Sequence, residues 1–181
     1  MEKKLIRISK YISKLLRHDK EDLEMDKNGW VMVKDLCSKV GINRTQLEEI
    51  VETNDKKRFA YSSDKNKIRA NQGHSLSVDV ELKETQPPKT LYHGTSSKVI
   101  DIIMQDGMKP MSRQYIHLSV DEETAINVGD RHTKSASATT TLLAIDSERM
   151  FNDGYKFYLS ENGVWLTTII PSEYINIIKY V

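Results

Sequence analysis

Arginine and histidine recur in this chain where regular elements should end: Arg17-His18, Arg69, His74, His93, His117 and Arg131-His132. Guanidinium forks and imidazoles in such numbers suit the binding of phosphate dianions. A phosphate monoester is already anionic near neutral pH, so it can attack an electrophile without a general base. Each residue also has a plainer reading. Arg17 and His18 complement a helix dipole, His93-Gly94-Thr95 is common turn chemistry, His117 fits a polar position on a sheet face, and Arg131 fits a solvated helix end. Only the combination points to phosphate.

Other chemistries leave no mark. There is no Gly-x-x-x-x-Gly-Lys loop, no Gly-x-Gly-x-x-Gly after a strand and no Gly-x-Ser-x-Gly elbow. ATP hydrolysis, Rossmann-type hydride transfer and serine hydrolysis therefore lack their usual machinery. The single cysteine, Cys37, cannot close an internal disulfide and reads as a small residue on an amphipathic helix. No Cys/His cluster has zinc spacing, so no metal is expected.

The elements that must position these residues are legible in the periodicity. Leu5, Ile8, Ile12, Leu15 and Leu16 recur at helical spacing. Lys3, Arg7, Lys10, Lys14 and Arg17 fall on the opposite face, either a solvated stripe or a phosphate-facing one. A short apolar WVMV follows, then KDLCSKV with Gly41 as C-cap. A helix capped by Asn43 with Gln46 comes next, and RFAY and KIRA flank the turn SSDKN. Helix, strand, two helices and a hairpin suggest a winged-helix lobe. The Pro-Pro strap in LSVDVELKETQPPKT marks a boundary.

Beyond it, TLYHGTS, YIHLS, TTLLAID and INIIKYV read as strands, and Asn162-Gly163 as the turn of a hairpin. Helices are expected over Lys98–Gln105 and EETAINVG. The fold class is α+β, the second lobe mainly β.

The 181 residues suffice for one domain or two small ones. Net charge is +1: residues 1–88 hold 18 Lys+Arg against 15 Asp+Glu, residues 89–181 hold 9 against 11. A global electrostatic case for nucleic-acid binding fails, while a local basic surface is allowed. No apolar run has membrane-spanning length and MEKKLIRISK lacks a signal-peptide core, so a cytoplasmic, membrane-free protein is expected. No obligate protein partner is evident.

In order and spacing, LLRHDK, GWVMVKDL, KIRANQGHS, LYHGT, YIHLS, GDRH and SENGVWLT resemble the tRNA 2′-phosphotransferase family, from Tyr11 to Tyr174. IRANQGHS is the most specific piece. The resemblance implies a winged-helix lobe at 1–78, a linker at 79–90 and an NAD-binding ADP-ribosyltransferase lobe at 91–181. It implies removal of an internal 2′-phosphate from RNA, with NAD consumed and ADP-ribose 1″,2″-cyclic phosphate released. The catalytic set falls on Arg17, His18, Arg69 and Arg131. His93, Gly94, Thr95, His117, Leu118, Ser119 and Val164 would line the NAD cleft, and Lys14, His74 and Ser75 would meet the RNA phosphate.

Val164 stands where many protein ADP-ribosyltransferases carry a glutamate, whose charge would repel a phosphate dianion. Thr133 replaces the glycine often found after the Arg-His pair. Two other readings stand beside this one. One is ADP-ribosylation that stops after the first step and caps terminal phosphates of RNA or DNA. The other is a winged-helix nucleic-acid-binding protein with an inert second lobe.

Overall fold

The computed structural model describes the chain except residues 1, 2, 55, 132, 134–137 and 181, with only the backbone of residues 3 and 180. His132 thus lies outside the described residues. The chain, a mixed α+β protein, divides into two compact units, Met1–Leu82 with Ser112–Gln114, and Lys83–Met111 with Tyr115–Val181. Among the described residues no helix is long and apolar enough to cross a membrane.

In the first unit, α1 (Lys3–Arg17) turns the expected apolar face inward. Ile12, Leu15 and Leu16 are fully buried, each contributing about 2 kcal/mol of hydrophobic stabilisation. β1 (Val31–Met32) leads into α2 (Val33–Val40), which ends at Gly41 with φ 72°, the left-handed conformation that suits glycine. α3 (Arg44–Glu52) opens on a full capping box between Asn43 and Gln46. β2 (Phe59–Tyr61) and β3 (Lys67–Ala70) form the anticipated hairpin, and β1 joins the other side of β3. Leu36, Leu47, Ile50 and Ile68 complete this core, and half-buried Cys37 packs against it.

The second unit holds two antiparallel sheets. One is ordered β4 (Leu91–Ser96), β6 (Thr140–Ile145), β9 (Ile175–Tyr180), and the other β5 (Ile116–Leu118), β8 (Trp165–Thr167), β7 (Tyr158–Leu159). Tyr92 and Ser119 join them by exchanging backbone hydrogen bonds of 2.8 and 2.9 Å. The helix expected from Lys98 begins later, as α4 (Ile100–Asp106), because Ser97–Val99 form a tighter 3-10 turn first. α5 (Glu122–Gly129) starts where the Asp121 carboxylate accepts from the Thr124 N–H at 2.7 Å.

A further helix, α6 (Ser147–Asn152), was not expected from the sequence. At six residues it is too short to show a periodic face. What fixes it is local: Asp146 caps the Arg149 N–H, and the Ser147 hydroxyl donates to the Pro88 carbonyl at 2.6 Å.

α5 lies directly on β4. A Cβ at Gly94 would run into the Ala125 carbonyl oxygen, and one at Gly129 would sit 2.6 Å from Thr140 Cγ2 and 2.9 Å from the Gly94 carbonyl carbon. The glycine of His93-Gly94-Thr95 is thus needed for helix-on-strand packing. Gly94→Ala should cost about 3 kcal/mol or more, since backbone must move. Gly41→Ala, which meets nothing within 4 Å, should cost about 1 kcal/mol for its positive φ. Urea titration of both variants checks the order; equal stability would refute the packing account.

Candidate functional site

The end of α1 and the segment after β3 are tied together by backbone. The N–H groups of Ser75 and Leu76 both donate to the Arg17 carbonyl, at 2.9 and 3.2 Å. They satisfy a carbonyl that a helix C-terminus leaves open. Gly73, at φ 86°, turns the chain so that Arg17 lies over it, 3.7 Å from where a Cβ would stand. His18 Nδ1 is 3.1 Å from Ser75 Oγ. Arg17, His18, His74 and Ser75 therefore form one group, although the pairs lie far apart in sequence.

Arg69 joins it from β3. It is buried, with its guanidinium carbon 4.4 Å from the Trp30 ring centroid, and it pairs with Glu81 at 3.4 Å. The carboxylate of Glu81 is mostly exposed, so the pair is a weak one. Two arginines missed in the sequence reading belong here too. Arg58 and Arg113 both depress the pKa of Arg17, to about 10, after the larger effect of burial. Arg113 also acts on His18.

Nothing in the local pattern marks either arginine. Arg58 merely precedes a strand and Arg113 a short loop residue. Gln114 holds Arg113's segment in place: its N–H donates to the His74 carbonyl at 3.0 Å, and its side-chain amide to the Val78 carbonyl at 3.0 Å.

The electrostatics are one-sided. Arg17 Nε and Nη2 are buried without a hydrogen-bond partner among the described residues, as is His74 Nε2. Buried polar groups are nearly always satisfied, so such atoms mark a place that a ligand completes. Burial and the neighbouring arginine charges push both histidines toward neutrality, His74 to about 4. The Asn71 amide nitrogen donates to the Lys57 carbonyl at 2.7 Å, while its Oδ1 is buried without a partner among the described residues. Lys14 stands apart on the exposed face of α1, paired with Asp19 and Glu21.

In the second unit, His93 Nδ1 donates to the His117 carbonyl at 2.9 Å. The strand ends carrying His93, Thr95, His117 and Ser119 are thus neighbours, all four half-buried. The side chain of Leu118 belongs to the core and the open face of Gly94 is covered by α5. Val164 is half-buried and lies in the turn where Ser160 Oγ accepts from its N–H at 3.1 Å. Arg131 is exposed just beyond α5. The end of that helix is fixed by Thr140, whose hydroxyl donates to Asp130 at 2.5 Å. Among the described residues no His/Cys/Asp/Glu group could hold a metal ion.

His74 gives a pH signature. Its folded pKa of about 4 lies below the ordinary 6.5, so the unfolded chain takes up the proton first. Stability from keeping it neutral is complete above pH 6.5 and is lost as pH falls through about 4, on the order of 3 kcal/mol. Thermal melting of wild type and His74→Gln across that window should show the wild type losing more. Parallel profiles would rule the effect out.

Comparison with known proteins adds an independent line. The sequence profile described as "RNA 2'-phosphotransferase, Tpt1 / KptA family" matches residues 3–169. A "Probable RNA 2'-phosphotransferase" of Flavobacterium johnsoniae is 50% identical over 175 residues, covering 93% of both chains. Its namesake from Fusobacterium nucleatum is 49% identical over 177 residues, 94% of this chain and 97% of that one. The one from Herpetosiphon aurantiacus is 44% identical over 181 residues, 96% and 97% of the two. With a match this long and this close, the chain belongs to the RNA 2′-phosphotransferase family of enzymes.

Proposed function

We propose that the protein removes an internal 2′-phosphate from RNA, as at a ligated splice junction, with NAD as co-substrate. The observation that carries this reading is the arginine cluster around Arg17, whose own Nε and Nη2 are buried without a hydrogen-bond partner among the described residues. A phosphate monoester supplies what that cluster lacks, two negative charges and three acceptor oxygens. Within the family so established, that monoester is the RNA 2′-phosphate. Only RNA offers a 2′-oxygen to carry it.

In the proposed first step an oxygen of the 2′-phosphate attacks the anomeric carbon of the nicotinamide ribose, and nicotinamide leaves with the bonding pair. In the second, the 2″-hydroxyl of that ribose attacks the same phosphorus. The RNA 2′-oxygen departs and takes up a proton, giving 2′-hydroxyl RNA and ADP-ribose 1″,2″-cyclic phosphate. Arg17 and Arg69 bind the phosphate and steady its charge, with Arg131 as the third arginine of the set. His18 hydrogen-bonds a phosphate oxygen or takes the proton of the incoming hydroxyl.

The NAD subsite is assigned to the neighbouring strand ends with His93, Thr95, His117 and Ser119, and to Val164. An apolar residue at position 164 keeps a carboxylate away from the dianion. On this reading residues 1–78 are a winged-helix lobe, 79–90 a linker and 91–181 an ADP-ribosyltransferase lobe, in a cytoplasmic enzyme.

The test is incubation with NAD and a short RNA bearing one internal 2′-phosphate, scoring nicotinamide and the cyclic phosphate separately. Arg69→Ala, checked by melting, should slow completion about a hundredfold or more, and wild-type turnover would remove Arg69 from the mechanism. Nicotinamide release without the cyclic product in the wild type would favour phosphate capping instead.

A further inference from the structure

The cluster in the first unit holds more guanidinium groups than one phosphate monoester has charges. Four guanidiniums, those of Arg17, Arg58, Arg69 and Arg113, act on one another or on the two histidines between them. Glu81 pairs with Arg69 at 3.4 Å. Both histidines are driven toward the neutral form. Four guanidiniums outnumber the two charges that a monoester dianion brings.

The substrate carries a further charge. A 2′-phosphate inside an RNA chain sits on a ribose whose 3′-oxygen carries a phosphodiester with a single negative charge. The two anions are on adjacent carbons, so a site that accepts the first must accommodate the second.

Arg113 is placed for that second charge. Arg17 Nε and Nη2 are buried without a partner among the described residues, whereas Arg113 is exposed, as reading a polymer backbone requires. Even so, enough protein surrounds its guanidinium to lower its pKa. Its segment is pinned through both the backbone and the side chain of Gln114 to residues on either side of Ser75. Arg58, by contrast, is engaged by the Asn54 side-chain oxygen at 3.2 Å.

We infer that Arg113 binds the RNA phosphodiester vicinal to the 2′-phosphate, making the cluster a two-anion site that distinguishes an internal 2′-phosphate from an isolated monoester. The inference rests on the assignment of the monoester to Arg17 and Arg69, and its test separates the two. Two ligands are titrated without NAD: a labelled short RNA with one internal 2′-phosphate, and adenosine 2′-monophosphate, which has the monoester but no diester. Arg113→Ala should weaken the RNA about tenfold and lower the slope of its log affinity against log salt by about one. Adenosine 2′-monophosphate should stay within about twofold, since its one phosphate lies elsewhere. Arg113→Gln, closer in length, must give the same pattern, which guards against a folding defect in the alanine variant.

Arg17→Ala should weaken both ligands. Equal weakening of both by the Arg113 variants would place Arg113 on the monoester and overturn the inference, and so would unchanged RNA binding. Full binding of both ligands by Arg17→Ala would overturn the monoester assignment itself, and this inference with it.

Discussion

The first unit is organised around charges that repel one another. The Arg17 pKa is lowered to about 10, by burial first and then by the charges of Arg58 and Arg113, a disfavour of roughly 3 kcal/mol. A fold that needed only stability would place a carboxylate against Arg17 or turn it out to water. Here the backbone instead forces the group together: the Arg17 carbonyl is held by Ser75 and Leu76, Gly73 makes the turn, and Gln114 carries in Arg113. Interactions among neutral groups offset a repulsion that, on the proposed function, an arriving anion relieves.

Glu81 shows how loosely the one compensating charge is attached. Its carboxylate is mostly exposed and reaches Arg69 at 3.4 Å from a residue with φ 59°, in the left-handed region. Such a pair is worth at most about 1 kcal/mol. Trp30, not Glu81, fixes the Arg69 guanidinium, by stacking at 4.4 Å. On the proposed function, an incoming phosphate would replace Glu81 while the stack on Trp30 keeps the arginine in position.

Most elements were legible because their signals are local. The α1 face, the Asn43–Gln46 capping box, the Gly41 cap and the two hairpins each depend on residues within a few positions of one another. α6 was missed because six residues carry no period, and Arg58 and Arg113 because a lone arginine beside a strand has no pattern. Their roles arise from where the chain returns in space, as when Ser112–Gln114 pack within the first unit. Gly94 shows a third kind of gap. Its sequence context reads as a turn beside a ligand, while its actual constraint is α5 lying against β4.

The histidines answer to burial first and to the arginines second. Burial, then the charges of Arg113 and Arg17, hold His18 below its ordinary pKa, so it enters the proposed reaction neutral at pH 7. The Ser75 hydroxyl has one hydrogen, and its Oγ lies 3.5 Å from the Arg17 carbonyl, which can only accept. The tautomer that carries the imidazole proton on Nδ1, donated to Ser75, leaves a lone pair on Nε2. That is the form a base needs to take the proton of a ribose hydroxyl as it attacks phosphorus. On the proposed function, the arginines that bind the phosphate add to the burial that keeps His18 neutral, and the dianion beside it would stabilise the imidazolium that forms.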